Sequence, residues 1–328
     1  MLMKRTTKCR FCALTFFLAP LLSLYTAPTY KEESVVTPVT GRLSCSQVGK
    51  WDNDNVSRPV ALTFARIGQH GRLGNQLFQI SATIGIADSN NLTWGFPESI
   101  STTSAGRLFN LQGNSSLKVL RCLEYLEENE NTYNISLPMI PANSLLSLHG
   151  YFQSWQYFEQ SAHSLRDFLQ LDPKLITSVK KEVPQVMLPN SVTLHVRRGD
   201  YEKLPRQYQL LDKSYYIGAL SAIEDIDVVI IVSDDVVWCK EHLIPSIKHN
   251  VIIPPPGDEL FDFVLLHLGK HIVIANSTYS WWAAFLKVIY GRNFGVTVAP
   301  SKMFKSGGVL SHLNRPSFFH PSWHIVEV

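Results

Sequence analysis

The sequence has little charge and no excess of either sign. Asp, Glu, Lys and Arg make up 17% of 328 residues, and the formal net charge is +3. With 45% hydrophobic residues, the chain is not a disordered polyelectrolyte. It also lacks the basic stripe of a nucleic-acid binder, so no nucleic-acid partner is expected. No cysteine or histidine spacing suits zinc, and no metal site is expected. A glycine-rich turn is present, but it lacks both the lysine of a phosphate-binding P-loop and the spacing of a dinucleotide fingerprint. That excludes the usual nicotinamide enzymes. There is no internal repeat and no low-complexity tract.

A targeting signal stands at the N-terminus. Lys4, Arg5, Lys8 and Arg10 precede an apolar stretch from Phe11 to Ala27. The stretch is at the short end for a membrane span, and the basic flank predicts a cytosolic tail of residues 1–10 with a lumenal remainder. We expect a signal anchor over 11–27. A cleaved signal peptide is the alternative, and the proline in Thr26-Ala27-Pro28 makes a poor cleavage site. Residues 28–58 are polar, carry Pro28 and Pro38, and have no helical period, as a flexible stem would. Sequons begin at Asn55, Asn91, Asn114, Asn134 and Asn276, which favours a secretory address. Asn276 lies in a segment that reads as buried, so it is not expected to carry a glycan. Cys9 and Cys12 border the apolar segment. Cys45, Cys122 and Cys239 lie beyond it, and three cannot all pair internally.

From Val60 the pattern is that of an α/β fold. Val60–Phe64 reads as a buried strand, followed by the turn Gly68–Gly74 and by Leu77, Ile80, Ile84 and Ala87 at helical spacing. Residues 88–148 are less legible. The second half alternates: strand Val192–Val196, helix Ser214–Ile223, strand Val228–Val232 and strand Val251–Ile253. A helix then opens at Asp258, followed by strand His271–Ala275 and helix Ser280–Ile289. Such alternation implies a parallel sheet, with ligands at the carboxyl ends of its strands.

Four polar motifs sit at those ends. His195-Val196-Arg197-Arg198-Gly199-Asp200-Tyr201 follows a buried strand. A guanidinium fork suits phosphate, so one arginine is expected to meet phosphate while the other pairs with Asp200. Ser233-Asp234-Asp235 follows the next strand; it suits a guanine edge or ribose, a metal, or simply a helix cap. Asn276-Ser277-Thr278-Tyr279-Ser280-Trp281-Trp282 offers hydroxyls and free N–H groups at a helix start, where anions bind. Gly71-Arg72-Leu73-Gly74-Asn75-Gln76 lets backbone approach a ligand closely.

Together with Gly150-Tyr151-Phe152-Gln153-Ser154-Trp155, and with Trp238 after the paired aspartates, these motifs closely resemble the galactoside 2-alpha-L-fucosyltransferases of glycosyltransferase family 11. The resemblance spans roughly residues 60–300. It implies a GT-B-like fold of two Rossmann-like domains facing a donor cleft, an acceptor-side domain at 59–175 and a GDP-fucose-binding domain at 176–328. It implies inverting transfer of L-fucose from GDP-fucose to the 2-hydroxyl of a galactose-ended glycan, without metal or other cofactor, in a type II Golgi membrane protein. The alternatives are another fucose linkage, core alpha-1,6 or protein O-linked, or a non-catalytic lumenal glycan-binding protein. The resemblance places Arg197 on the β-phosphate with Ser277, Thr278 and Ser280 helping. Arg198, His195, Ser233 and one of Asp234 or Asp235 lie towards the nucleotide, and Gly71, Gly74 and Asn75 close the cleft. Asp200 is the nearest motif candidate for a general base, or else only orients Arg198.

Overall fold

A computed structural model describes residues 61–113, 121–127, 133, 135, 137, 144–255, 257–291 and 295–328. The expected anchor and stem, Cys45, and the sequons at Asn55, Asn114 and Asn134 lie outside the described residues, as does the side chain of Cys122. No helix among the described residues is long and apolar enough to cross a membrane. By its contacts the chain divides after Thr40, and every described residue belongs to the unit Gly41–Val328.

That unit holds two parallel sheets. The small one contains β1 (Leu62–Thr63), β2 (Arg121–Leu126) and β3 (Ser144–His149) in the order β1-β3-β2. The large one contains β4 (Ser191–Val196), β5 (Val228–Ser233), β6 (Val251–Ile252), β7 (His271–Val273), β8 (Thr297–Pro300) and β9 (His324–Val326). Its order is β6-β5-β4-β7-β8-β9. The chain winds outward from β4 through β5 to β6, then returns to β7 on the other side of β4 and winds out again. The direction of winding therefore reverses between β4 and β7, and a doubly wound sheet binds ligands at the carboxyl end of that reversal.

The helices are α1 (Leu73–Ser89), α2 (Ser104–Leu108), α3 (Ala162–Phe168), α4 (Pro173–Glu182), α5 (Lys213–Ser221), the single turn α6 (Val236–Trp238), α7 (Glu259–Leu268) and α8 (Thr278–Ile289). Local sequence explains several starts: Asp172, Asp212, Asp258 and Ser277 each accept a backbone N–H from the first turn of the following helix, the usual N-cap arrangement. The first strand is shorter than its apolar run: Phe64 is fully buried, yet the ladder ends at Thr63 because the N–H of Ala65 goes to Ser147 Oγ instead. Helix α1 begins four residues before its first apolar repeat position, so Gly74 lies inside it.

Strand β4 is buried on both faces. Val192, Leu194 and Val196 pack with Tyr216, Ile231 and Val273 in one core. Its other face is polar but satisfied: Ser191 Oγ donates to Val186 O, Thr193 Oγ1 to Leu266 O, and His195 pairs with Ser280. A second, larger core joins the two sheets. Its centre is Phe78 of α1, with ring centroids 4.5 Å from Trp281 and 5.2 Å from Trp282 of α8. Phe158 stacks on Trp282 at 5.6 Å. Both tryptophans are fully buried, and each such burial is worth about 1.5–3 kcal/mol or more. This aromatic seam holds the starts of α1 and α8 together.

Candidate active site

The polar motifs meet at the reversal between β4 and β7. Arg197 and Arg198 leave the end of β4, Ser233-Asp234-Asp235 leaves β5, and Asn276-Ser277 leads from β7 into α8. Arg197 is gripped by two carboxylates. Its NH1 lies 2.8 Å from Asp234 Oδ2, and its NH2 bonds Asp200 Oδ1. Arg198 points another way: Nε to Asp235 Oδ2 at 3.2 Å, NH2 to Glu202 Oε1 at 2.7 Å, and its guanidinium 4.3 Å over the Trp238 ring. The expected pairing of Asp200 with Arg198 is thus corrected. Asp200 pairs with Arg197 and, at 3.5 Å, with Arg72. A three-residue spacing along the helical turn Gly199–Lys203 puts Asp200 beside Arg197, while Glu202 takes the four-residue spacing from Arg198.

The paired aspartates orient this arginine pair. Asp234 Oδ1 accepts the Arg198 N–H at 2.8 Å, and Asp235 Oδ1 accepts the Trp238 N–H at 3.0 Å. Ser233 Oγ accepts the Asp235 N–H at 2.9 Å. Each aspartate oxygen therefore already holds a partner, and the capping role coexists with an ion pair. A Cβ on Gly199 would lie 2.5 Å from Asp234 Oδ2 and press on the carboxylate that holds Arg197.

His195, which the resemblance puts towards the nucleotide, is turned into the fold. It is buried, and its Nδ1 lies 2.8 Å from Ser280 Oγ. Burial, and then the neighbouring Arg197, push its pKa down to about 3, so it stays neutral and steadies the start of α8. Ser280 Oγ also accepts the Ala275 N–H, and Ser277 caps α8 through the Tyr279 N–H. Asn276 is 1% exposed and its amide donates to Gln209 O and Met303 O, which agrees with a residue carrying no glycan. Tyr201 donates to Asn276 O at 3.0 Å and stacks on Tyr208 with centroids 3.8 Å apart. These contacts tie the arginine turn to the start of α8.

The glycine-rich turn reaches the same place from the small sheet. Thr278 Oγ1 donates to Asn75 Oδ1 at 3.2 Å, and Gln153 Nε2 donates to the same oxygen at 2.8 Å. A Cβ on Gly74 would lie 2.5 Å from the Thr278 carbonyl carbon. Gly71 has φ +80 and leaves room for Asn75. Sequence reasoning missed two contributors. Arg72 was read only as part of a glycine turn, and Gln153 only as part of an aromatic-rich stretch; neither shows its partner in the sequence, because Asp200 and Asn75 lie far away along the chain.

The site can therefore hold an anionic leaving group. The guanidinium of Arg197 and the positive end of the 12-residue α8 lie together at the carboxyl end of β4 and β7, where negative charge is favoured.

The family model described as glycosyl transferase family 11 matches residues 67–327. Among curated proteins, an Escherichia coli alpha-1,2-colitosyltransferase is 31% identical over 170 residues, covering 48% of this chain and 55% of that protein. The Bos taurus galactoside 2-alpha-L-fucosyltransferase SEC1 is 28% identical over 255 residues, covering 70% of this chain and 66% of that protein. Among solved structures, the fucosyltransferase NodZ from Bradyrhizobium is similar with a TM-score of 0.48 and 11% identity, over 70% of this chain and 93% of that one.

Proposed function

As a chain that belongs to glycosyl transferase family 11, we propose, this protein transfers L-fucose from GDP-fucose to the 2-hydroxyl of a galactose at the end of a glycan. The observation that carries the reading is Arg197, held by Asp200 and Asp234 beside the start of α8. Departing GDP gains negative charge as the bond to fucose breaks. Arg197 and the first turn of α8 stabilise that charge more in the transition state than in the ground state. Asp234, Asp235 and Glu202 hold the guanidinium planes; Ser233, His195 and Ser280 hold the backbone that carries them.

On this reading the reaction needs no metal. What supports it is the use of the paired aspartates: each is bound to a guanidinium rather than turned together to form a cation cage. Attack by the galactose oxygen opposite the leaving diphosphate inverts the fucose anomeric carbon. The small sheet supplies the acceptor side and the large sheet the donor side of a GT-B-like arrangement. The N-terminal apolar segment anchors the enzyme in the Golgi membrane with its catalytic part in the lumen.

The test is incubation of the full-length protein with GDP-fucose and lactose, with linkage analysis of the product and a parallel reaction in excess chelator. An alpha-1,2-linked product formed at an unchanged rate in chelator is expected. Absence of transfer to any galactoside overturns the reading, and a strict divalent requirement overturns its metal-free part. The Escherichia coli relative favours one second reading, colitose as the transferred sugar, which direct competition between the two donors discriminates.

A further inference from the structure

The carboxyl end of the small sheet carries side chains that the donor site does not use. Glu124 faces Ser147, and Leu126 faces His149, as register partners of β2 and β3, so all four share one face of the sheet. His70, from the loop after β1, lays its ring 5.7 Å from that of His149. Arg66 bonds Glu124 at 2.9 Å just behind them. Two large apolar side chains at this edge are turned out of the core: Leu126 is 44% and Tyr151 42% exposed. The Nδ1 of His149 is buried with no hydrogen-bond partner among the described residues, an arrangement that costs free energy. An aromatic face beside titratable side chains at one sheet edge supplies the kinds of contact that a sugar takes.

Two connections fix this edge relative to the donor site. The loop bearing His70 continues to Arg72, which bonds Asp200. The strap after β3 is tied at every residue. Gly150 O accepts from Gln79, Glu127 Oε2 accepts the N–H groups of Tyr151 and Phe152 at 2.8 Å each, and Gln153 bonds Asn75. Asn75 in turn accepts from Thr278 at the first turn of α8. Phe152 is held at φ +50 and Gly150 at φ +158, the second possible because glycine has no Cβ, which here would strike Glu127. Tyr151 is thereby presented at a set position from the helix that receives the diphosphate.

We infer that this edge is the acceptor subsite: the C–H face of a galactose lies on Tyr151 beside Leu126, and its 2-hydroxyl faces the His70–His149 pair, which takes its proton. This rests on the proposed transfer. In the step, the O2–H bond breaks and the proton passes to an imidazole nitrogen. The oxygen forms its bond to the fucose anomeric carbon, and the bond from that carbon to phosphate breaks with its electron pair leaving on GDP. Asp200 is a poorer candidate, since both its oxygens are held by guanidinium groups. The charged and titratable groups facing His149 are Arg66 from the loop after β1, Glu124 from β2 and His70 from the glycine-rich turn. Burial first, and then Arg66, lower its pKa below the ordinary imidazole value, against Glu124; a neutral ring can accept a proton.

The experiment has two independent arms on the full-length protein. In the first, lactose is titrated while histidine ring signals are followed by NMR, with assignments from His70→Asn and His149→Asn. Shifts of both rings, lost in Tyr151→Ala, are expected; unmoved rings overturn the inference whether or not fucose is transferred. Moved rings with no transfer support the subsite and count against the donor reading instead. In the second arm, His149→Asn and His70→Asn each lower kcat with lactose by about 10²-fold and lose the acid limb of its pH profile, with GDP affinity unchanged. Tyr151→Ala raises the lactose KM about tenfold with little change in kcat, the sign of lost uniform binding. Wild-type turnover and pH profile in both histidine variants overturn the proton role. Should His149→Asn fail to fold, the exposed positions His70 and Tyr151 carry the same test.

Discussion

Replacing Gly74 with alanine separates two effects that ordinarily move together. In most helices this change stabilises by up to ~1 kcal/mol. Here the new Cβ would lie 2.5 Å from the Thr278 carbonyl carbon and 2.6 Å from its carbonyl oxygen and Oγ1. Non-bonded carbons rest at about 3.5–4.0 Å, so the starts of α1 and α8 must part by roughly 1 Å. Overpacking of that kind costs ~1–3 kcal/mol, which outweighs the helical gain and leaves a modest net loss. The catalytic loss is larger. A displacement of about 1 Å in a positioning element costs on the order of 10²-fold in rate, because the first turn of α8 and the Asn75–Thr278 bond move away from Arg197. We therefore expect Gly74→Ala to unfold a few degrees lower, bind GDP more weakly and turn over about a hundredfold more slowly. The control is Gly218→Ala in α5, where the nearest atom to the new Cβ is Val326 Cγ1 at 3.7 Å. That variant gains ~0.4–1 kcal/mol and keeps full activity. Thermal unfolding and transfer kinetics of the two variants decide the matter. If Gly74→Ala is as stable and active as Gly218→Ala, the close approach of the two helices is not what the site depends on.

Further outcomes are expected at Arg197, Arg198, Lys287 and Asn276. Arg197→Lys keeps a charge but loses the planar fork whose NH1 and NH2 reach Asp234 and Asp200 separately, so turnover falls by about two to three decades. Arg198→Lys loses the fork to Asp235 and Glu202 and the contact with Trp238, and should show weaker GDP binding with a smaller fall in kcat; steady-state kinetics and calorimetry separate the two. Lys287 is buried on α8, donates to Gly269 O, and has its pKa lowered to about 7 by burial and then by Lys270. The folded state therefore resists protonation that the unfolded chain accepts below about pH 10.4. Stability is lost as pH falls from there to about 7, by up to ~1.4 kcal/mol per unit, and Lys287→Met should flatten that slope in denaturation series at several pH values. Asn276→Asp puts a buried charge where two carbonyls now accept an amide; it should lower the melting temperature by several degrees, whereas a glycosidase digest should leave this position unchanged.

Strands β4 to β7 of the second half were legible because each is a short run with apolar residues bounded by polar turns, whereas β8 and β9 carry no such signal. That Arg197, Thr278 and Ser280 gather at the ends of buried strands was legible for a related reason: hydroxyls and a guanidinium directly after such strands have few uses except capping and binding. Residues 88–148 stayed illegible because a three-stranded sheet with one polar face mixes Glu124 and Ser147 with leucines and leaves no clean period. Partnership was the other thing the chain order concealed. Asp200 follows both arginines and could serve either; only the helical turn after Gly199 gave it to Arg197.

By itself, then, the sequence determined strands β4 to β7, helices α1, α5, α7 and α8, and the family, because these rest on local pattern and on motifs that each segment carries wherever it lies. The tertiary structure alone decided which carboxylate restrains which arginine, why Gly74 has no side chain, and that His70, His149 and Tyr151 share one edge. Those are contacts between segments tens to hundreds of residues apart, set by the aromatic seam of Phe78, Trp281 and Trp282 that presses α1 against α8, and no local pattern encodes the distance between them.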